Sequence, residues 1–218
     1  MTFRPPLPDE ELLALVPMAA PSKLPLGDVW VNEGYEPMVD LREVCPTVHM
    51  RQRGRPFLAR HQVAERLHQV QVWLDLNRPG LQLEVLEAYR PPASGRAFLR
   101  WASAKSHWAS LAVRALRRLP LASTSPLATG GTLAVRLRDI AGLPLPMVST
   151  ATLAGNWNGG SESIRRHRAL LSEAMAQGGF VNALASWWHW SYGDRLWAAV
   201  VHQPEACYGD VKRVFSPT

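Results

Sequence analysis

The run Trp187-Trp188-His189-Trp190-Ser191-Tyr192-Gly193-Asp194-Arg195 decides how the rest of the chain is read. It is aromatic and β-prone, and with Leu196 to Val201 beyond the Gly193-Asp194 turn it predicts an extended C-terminal segment. Upstream, Ser161 stands where a helix cap belongs, ahead of a helix over 162–177 that Gly178-Gly179 closes. Further back, Leu133, Val135 and Leu137 alternate with Ala134, Arg136 and Arg138, the period of a half-buried strand, and Ala141-Gly142 turns the chain after it. Leu81, Leu83 and Val85 alternate in the same way and lead into Glu87-Ala88-Tyr89-Arg90-Pro91. From Leu58 to Leu76, Val63, Leu67, Val70 and Leu74 recur every three to four residues, which predicts an amphipathic helix ended by Asn77-Arg78-Pro79-Gly80. Shorter expectations are an extended segment over 28–36, a helix over 9–16 and a helix-forming stretch over 95–118. Together these predict an α+β fold: helices packed on a mainly antiparallel sheet in a single domain, 28–218, preceded by a proline-rich arm, 1–27.

A chain of 218 residues, 47% hydrophobic and 19% charged, buries enough apolar surface to fold without staples. Its two cysteines, Cys45 and Cys207, form no C-x-x-C pair, and two ordinary thiols are expected. The formal charge of +6 is carried mostly by arginine. The clusters at Arg51/Arg53/Arg55, Arg114/Arg117/Arg118 and Arg165/Arg166/Arg168 are short and lack the interleaved aromatics of a nucleic-acid module, so solvated surface is expected there and no nucleic-acid partner. No stretch has the form of a signal peptide or a membrane span, and the expected location is the cytoplasm, with no membrane partner.

Three segments in order resemble the VanX-type D-alanyl-D-alanine dipeptidases. Glu87-Ala88-Tyr89-Arg90-Pro91 is similar to the family's Asp-Ala-Tyr-Arg-Pro. Residues 125–147 are similar to its Ser-x-His-x-x-Gly-x-Ala-x-Asp run and the strand after it, and residues 167–197 to its helix followed by Glu-Trp-Trp-His. The resemblance implies a zinc ion held by His, Asp and His, a Glu acting as general base, and an Arg that binds substrate or the developing oxyanion. On this chain Leu127 stands at the first His, Ala134 at the Asp and Ser186 at the Glu; His189 and Arg90 remain. Leucine and alanine cannot ligate a metal, and one imidazole does not hold zinc against water.

The expectation is therefore a metal-free, cofactor-free relative that is not a peptidase. It would be an enzyme acting on an amino-acid- or dipeptide-like ligand by condensation or cyclisation chemistry in specialised metabolism. His189, Glu87 and Tyr89 are the acid/base candidates, and Arg90 is the carboxylate anchor, unless it is only a structural ion pair with Glu87 or Asp194. Trp187, Trp188, Ser186 and Arg136 complete the expected binding site; the face carrying Thr132, Ala134 and Arg136 is small and basic. Alternatives are a ligand-binding protein without turnover, and a zinc dipeptidase with ligands relocated to His107, His167, Asp194 or His202. The tryptophan-rich C-terminal half leaves room for a homodimer interface.

Overall fold

The computed structural model describes residues 28–51, 56–91, 126–147, 160–182 and 187–211. The expected helices over 9–16 and 95–118, and the arm 1–27, lie outside the described residues. Five strands form the main sheet: β3 (His49–Met50), β5 (Leu81–Glu87), β6 (Thr132–Asp139), β8 (His189–Ser191) and β7 (Val181–Asn182), in that spatial order. β5–β6, β6–β8 and β8–β7 are antiparallel; only the edge pair β3–β5 is parallel. Two small pairs flank this sheet. β2 (Met38–Asp40) runs antiparallel to β4 (Leu58–Arg60), and β1 (Trp30–Val31) runs parallel to β9 (Glu205–Ala206).

Helices α2 (His61–Asn77) and α3 (Glu162–Gln177) cover one face of the sheet. The stripe Val63, Leu67, Val70 and Leu74 is fully buried against Leu83, Val85, Leu133, Val135, Leu137 and Trp190 from the strands and Leu171, Ala174 and Met175 from α3. Each such side chain contributes about 1.5–3 kcal/mol by leaving water. Gln71, also buried in α2, joins helix to sheet. Where β3 no longer runs beside β5, its Oε1 accepts from the Leu83 N–H at 2.8 Å, and its Nε2 donates to Asp75 at 2.8 Å and to the Leu81 carbonyl at 3.3 Å. The Ser161 hydroxyl accepts from the Ile164 N–H, capping α3 as its position implied.

Three expectations are corrected. Leu58–Arg60 is a strand rather than the first turn of the helix, because it pairs with Met38–Asp40 and the Arg60 N–H is taken by the Gly130 carbonyl. The extended segment near 28–36 reduces to the two-residue β1. Residues 195–200 are helical: Asp194 is an N-cap rather than a hairpin residue, its Oδ1 accepting from the Trp197 N–H at 2.9 Å to start α4 (Arg195–Val200). Gly193, with φ 71, bends the chain between β8 and α4, and a Cβ there would meet the Tyr208 ring at 2.4 Å. A short helix α1 (Leu41–Val44), capped by Asp40, completes the described elements apart from a 3₁₀ turn at Pro126–Thr129. The thiols of Cys45 and Cys207 are free.

Candidate ligand site on the sheet

With Leu133, Val135 and Leu137 turned into the core, Thr132, Ala134 and Arg136 project from the opposite face of β6. Cross-strand register extends each of them into a row. Thr132 faces Ser191; Ala134 faces His189 on one side and, past an irregularity between Val85 and Glu87, faces Glu87 on the other. Arg136 faces Glu84, which in turn faces His49.

The first row is closed. Thr132 Oγ1 donates to Asp194 Oδ2 at 2.7 Å and lies 2.9 Å from Ser191 Oγ, with all three residues buried. Burial raises the pKa of the Asp194 carboxyl, against the pull of its hydrogen bonds to Trp197, Thr132 and Ser191. The third row is an ionic ladder: Arg136 Nε donates to the buried Glu84 carboxylate, and His49 Nε2 stands 3.7 Å from its other oxygen.

The middle row holds the candidate chemistry. Arg90 makes an ion pair with Glu87 three residues back, not with Asp194, and its N–H donates to the Leu127 carbonyl at 3.2 Å. Burial lowers the basicity of its guanidinium. His189 is held on β8 with its ring 5.6 Å from that of Trp188. Its Nδ1 is buried and has no hydrogen-bond partner among the described residues. Burial first, then the charge of Arg90, lowers its pKa to about 4, so the imidazole is neutral at physiological pH. Ala134, between Glu87 and His189, is buried and contributes only a methyl group.

The other expected site residues are placed as follows. The Tyr89 hydroxyl donates to the Val211 carbonyl at 2.9 Å, and burial, with Asp210 nearby, raises its pKa. Trp187 is buried; Trp188 is half-buried and meets it edge-on at 5.3 Å. Arg136 belongs to the ladder with Glu84 rather than to the middle row. Ser186 lies outside the described residues. Arg168, expected on solvated surface, is buried in the α3 stripe: its Nε donates to the Met147 carbonyl at 2.9 Å and its guanidinium lies 5.9 Å from the Trp187 ring. The sequence did not single out Glu84 or His49, nor the bonds that Thr132, Ser191 and Asp194 make with one another. Their one readable signal was polar residues at the strand positions opposite the apolar ones.

The side chains at these positions do not fit a zinc ion. Leu127 and Ala134 are buried and carry no donor atom, and the carboxylate nearest His189 in its row, Glu87, is paired with Arg90. Nor do the described relocation candidates converge: Asp194 is spent on Thr132 and Trp197, His167 Nδ1 sits 2.8 Å from the Pro146 carbonyl, and His202 is exposed beyond α4. His107 lies outside the described residues. Among the described residues no three His, Cys, Asp or Glu side chains gather as a metal site.

A five-stranded sheet, helices on one face and a row of ionisable side chains on the other define an α+β domain whose open sheet face carries the candidate site. The family model described as D-ala-D-ala dipeptidase, of peptidase family M15, matches residues 39–209, and the chain belongs to that family. It is similar to a D-alanyl-D-alanine dipeptidase of Synechocystis sp. (strain ATCC 27184 / PCC 6803 / Kazusa), 26% identical over 202 residues that cover 73% of this chain and 82% of the relative. Among solved structures it is similar to a mutant of the vancomycin-resistance D,D-pentapeptidase VanY, from a VanB-type cassette, in complex with Zn(II). That match has 14% identity and a TM-score of 0.44, over 73% of this chain and 87% of the other. No helix among the described residues is long and apolar enough to cross a membrane.

Proposed function

We propose that this chain is a D-alanyl-D-alanine dipeptidase relative that works without zinc and is not a peptidase. It takes an amino-acid- or dipeptide-like metabolite into the middle row of the sheet face and acts on it by condensation or cyclisation chemistry. The observation that carries the reading is the row itself: Glu87, Ala134 and His189 stand side by side, with Arg90 on Glu87 and no carboxylate opposite the histidine. Arg90 anchors the ligand carboxylate, since guanidinium and carboxylate pair through two parallel hydrogen bonds, and Trp188 lines the apolar side. Glu87 is the best-placed proton acceptor.

A second reading, binding without turnover, has its own support. The Tyr89 hydroxyl is committed to a backbone carbonyl, and an imidazole whose pKa is about 4 is a feeble base at neutral pH. Both readings predict substoichiometric zinc in the purified protein by elemental analysis. Both also predict thermal stabilisation by members of an amino-acid and dipeptide panel that Arg90→Ala abolishes. Product formation from the stabilising ligand separates turnover from binding. One zinc per chain, removed by chelator together with D-Ala-D-Ala hydrolysis, overturns both.

A further inference from the structure

We propose that the open edge of β1 docks a basic, extended segment of a partner protein, which adds as a further strand and sets a lysine or arginine on Trp30 and Glu205. The β1–β9 pair has one buried face: Val29, Val31 and Ala206 pack inward on Leu196, Ala198 and Ala199. Its other face carries Trp30, Asn32 and Glu205, all exposed. Trp30, 78% exposed, stands directly across from Glu205, whose Oε2 accepts from Asn32 Nδ2 at 3.1 Å. The main-chain edge is bare as well. The Trp30, Asn32 and Gly34 N–H groups are spent on β9 and the residues beside it, at 3.3, 2.8 and 3.1 Å. Directions alternate along a strand, so the Val31 and Glu33 groups point to the opposite edge, where no strand pairs among the described residues. Soluble proteins blunt such edges with lysine, proline or a bulge. The run Trp30 to Tyr35 contains neither lysine nor proline. Tyr35, also exposed, ends it with a φ of 51, and the Glu33 carboxylate holds that turn by accepting from the Tyr35 N–H at 3.0 Å.

Charge decides what covers the edge. The chain carries a formal charge of +6, yet neither 28–41 nor 196–211 contains a lysine or arginine. Of the carboxylates there, Glu33 is ion-paired with Arg60, Glu36 is held by the Gln62 N–H and the Tyr208 hydroxyl, and Asp40 caps α1. Asp28, two residues before Trp30, and Glu205, across from it, are exposed and make no ion pair among the described residues. A cation over an indole gains from the ring quadrupole, and a carboxylate alongside adds to the attraction. A peptide that joins as a strand lays alternate side chains on this face, so the fitting sequence alternates lysine or arginine with small or β-branched residues. The same charges disfavour a second copy of this chain: pairing β1 with β1 sets one copy's carboxylates against the other's.

The test titrates the full chain, by calorimetry and by amide hydrogen exchange, with a short capped peptide of alternating lysine and threonine and with its glutamate counterpart. The expected result is saturable binding of the lysine peptide, none of the glutamate peptide, and slowed exchange at the Val31 and Glu33 amides. Trp30→Ala should weaken binding about tenfold. Glu205→Gln should weaken it and flatten its salt dependence. Both side chains are exposed, so both variants should keep the wild-type melting temperature. Arg90→Ala should leave peptide binding unchanged, which separates this edge from the sheet-face site. No binding up to about 1 mM overturns the proposal, as does equal binding of the glutamate peptide. So does binding that survives both substitutions, or binding that leaves the Val31 amide unprotected. A concentration-dependent dimer that Trp30→Ala dissolves also overturns it, because the edge then belongs to a second copy.

Discussion

Alanine at position 134 leaves His189 without an anion across the strand, and much of the site's behaviour follows from that one methyl group. The imidazole is neutral because burial and Arg90 both oppose its charge. Its folded pKa, about 4, lies below the ordinary value of 6.5, so between these values the unfolded chain binds the extra proton. The stability contributed by a neutral His189 is therefore fully present above about pH 6.5 and is lost as the pH falls toward 4. Denaturant melts of the wild type and of His189→Phe should diverge over that window, with the variant the less acid-sensitive. Ala134→Asp restores a carboxylate opposite the ring; the His189 pKa, followed by NMR titration, should rise above 4 toward or beyond its ordinary value. A pKa unchanged by that substitution contradicts the cross-strand register.

At the scale of elements, what was legible in the sequence depended on whether a segment's partner lay in its own pattern. β6 was readable because Leu133, Val135 and Leu137 alternate on a buried face, and α2 because its stripe repeats with the helical period. The row Glu87–Ala134–His189 was legible only through the family resemblance, as three positions with no visible link. Leu58–Arg60 was misread because the apolar pattern runs on into the strand, and what makes it a strand is its antiparallel pairing with Met38–Asp40, about twenty residues upstream. The segment after Gly193 was misread because Asp194 suits a turn and a helix cap equally well; its acceptance from Thr132, 62 residues away, is invisible locally. That carboxyl also supplies a prediction. Its folded pKa is raised, so its contribution to stability is greatest below its unfolded pKa and is lost as the pH rises through the folded value. Asp194→Asn retains a cap, and its stability relative to wild type should improve from acidic to neutral pH in parallel thermal melts.

For the whole molecule, Arg60 matters more than its place in a three-residue strand suggests. Its Nη1 donates to the Glu36 carbonyl at 2.8 Å and its Nε to the Thr129 carbonyl at 3.0 Å; Nη2 donates to Glu33 at 3.1 Å and to the Gly209 carbonyl at 3.4 Å. The guanidinium also lies 5.1 Å from the Tyr208 ring, and the Tyr208 hydroxyl donates to Glu36. One buried cation thus ties together the segment after β1, the turn before β6 and the C-terminal segment that holds Tyr89. Arg60→Met strands Glu33 and the carbonyls, and should cost about 3–5 kcal/mol by denaturant unfolding. Amide exchange should quicken over 30–36 and 205–211 before it does in α2. The parallel pairing of β1 with β9 carries this dependence into biosynthesis. The strand made first among the described ones must wait some 170 residues of elongation for its partner, roughly ten to thirty seconds at ribosomal speed. Throughout that interval the nascent chain carries an unpaired edge, which only the later-made β9 covers against proteases and aggregation.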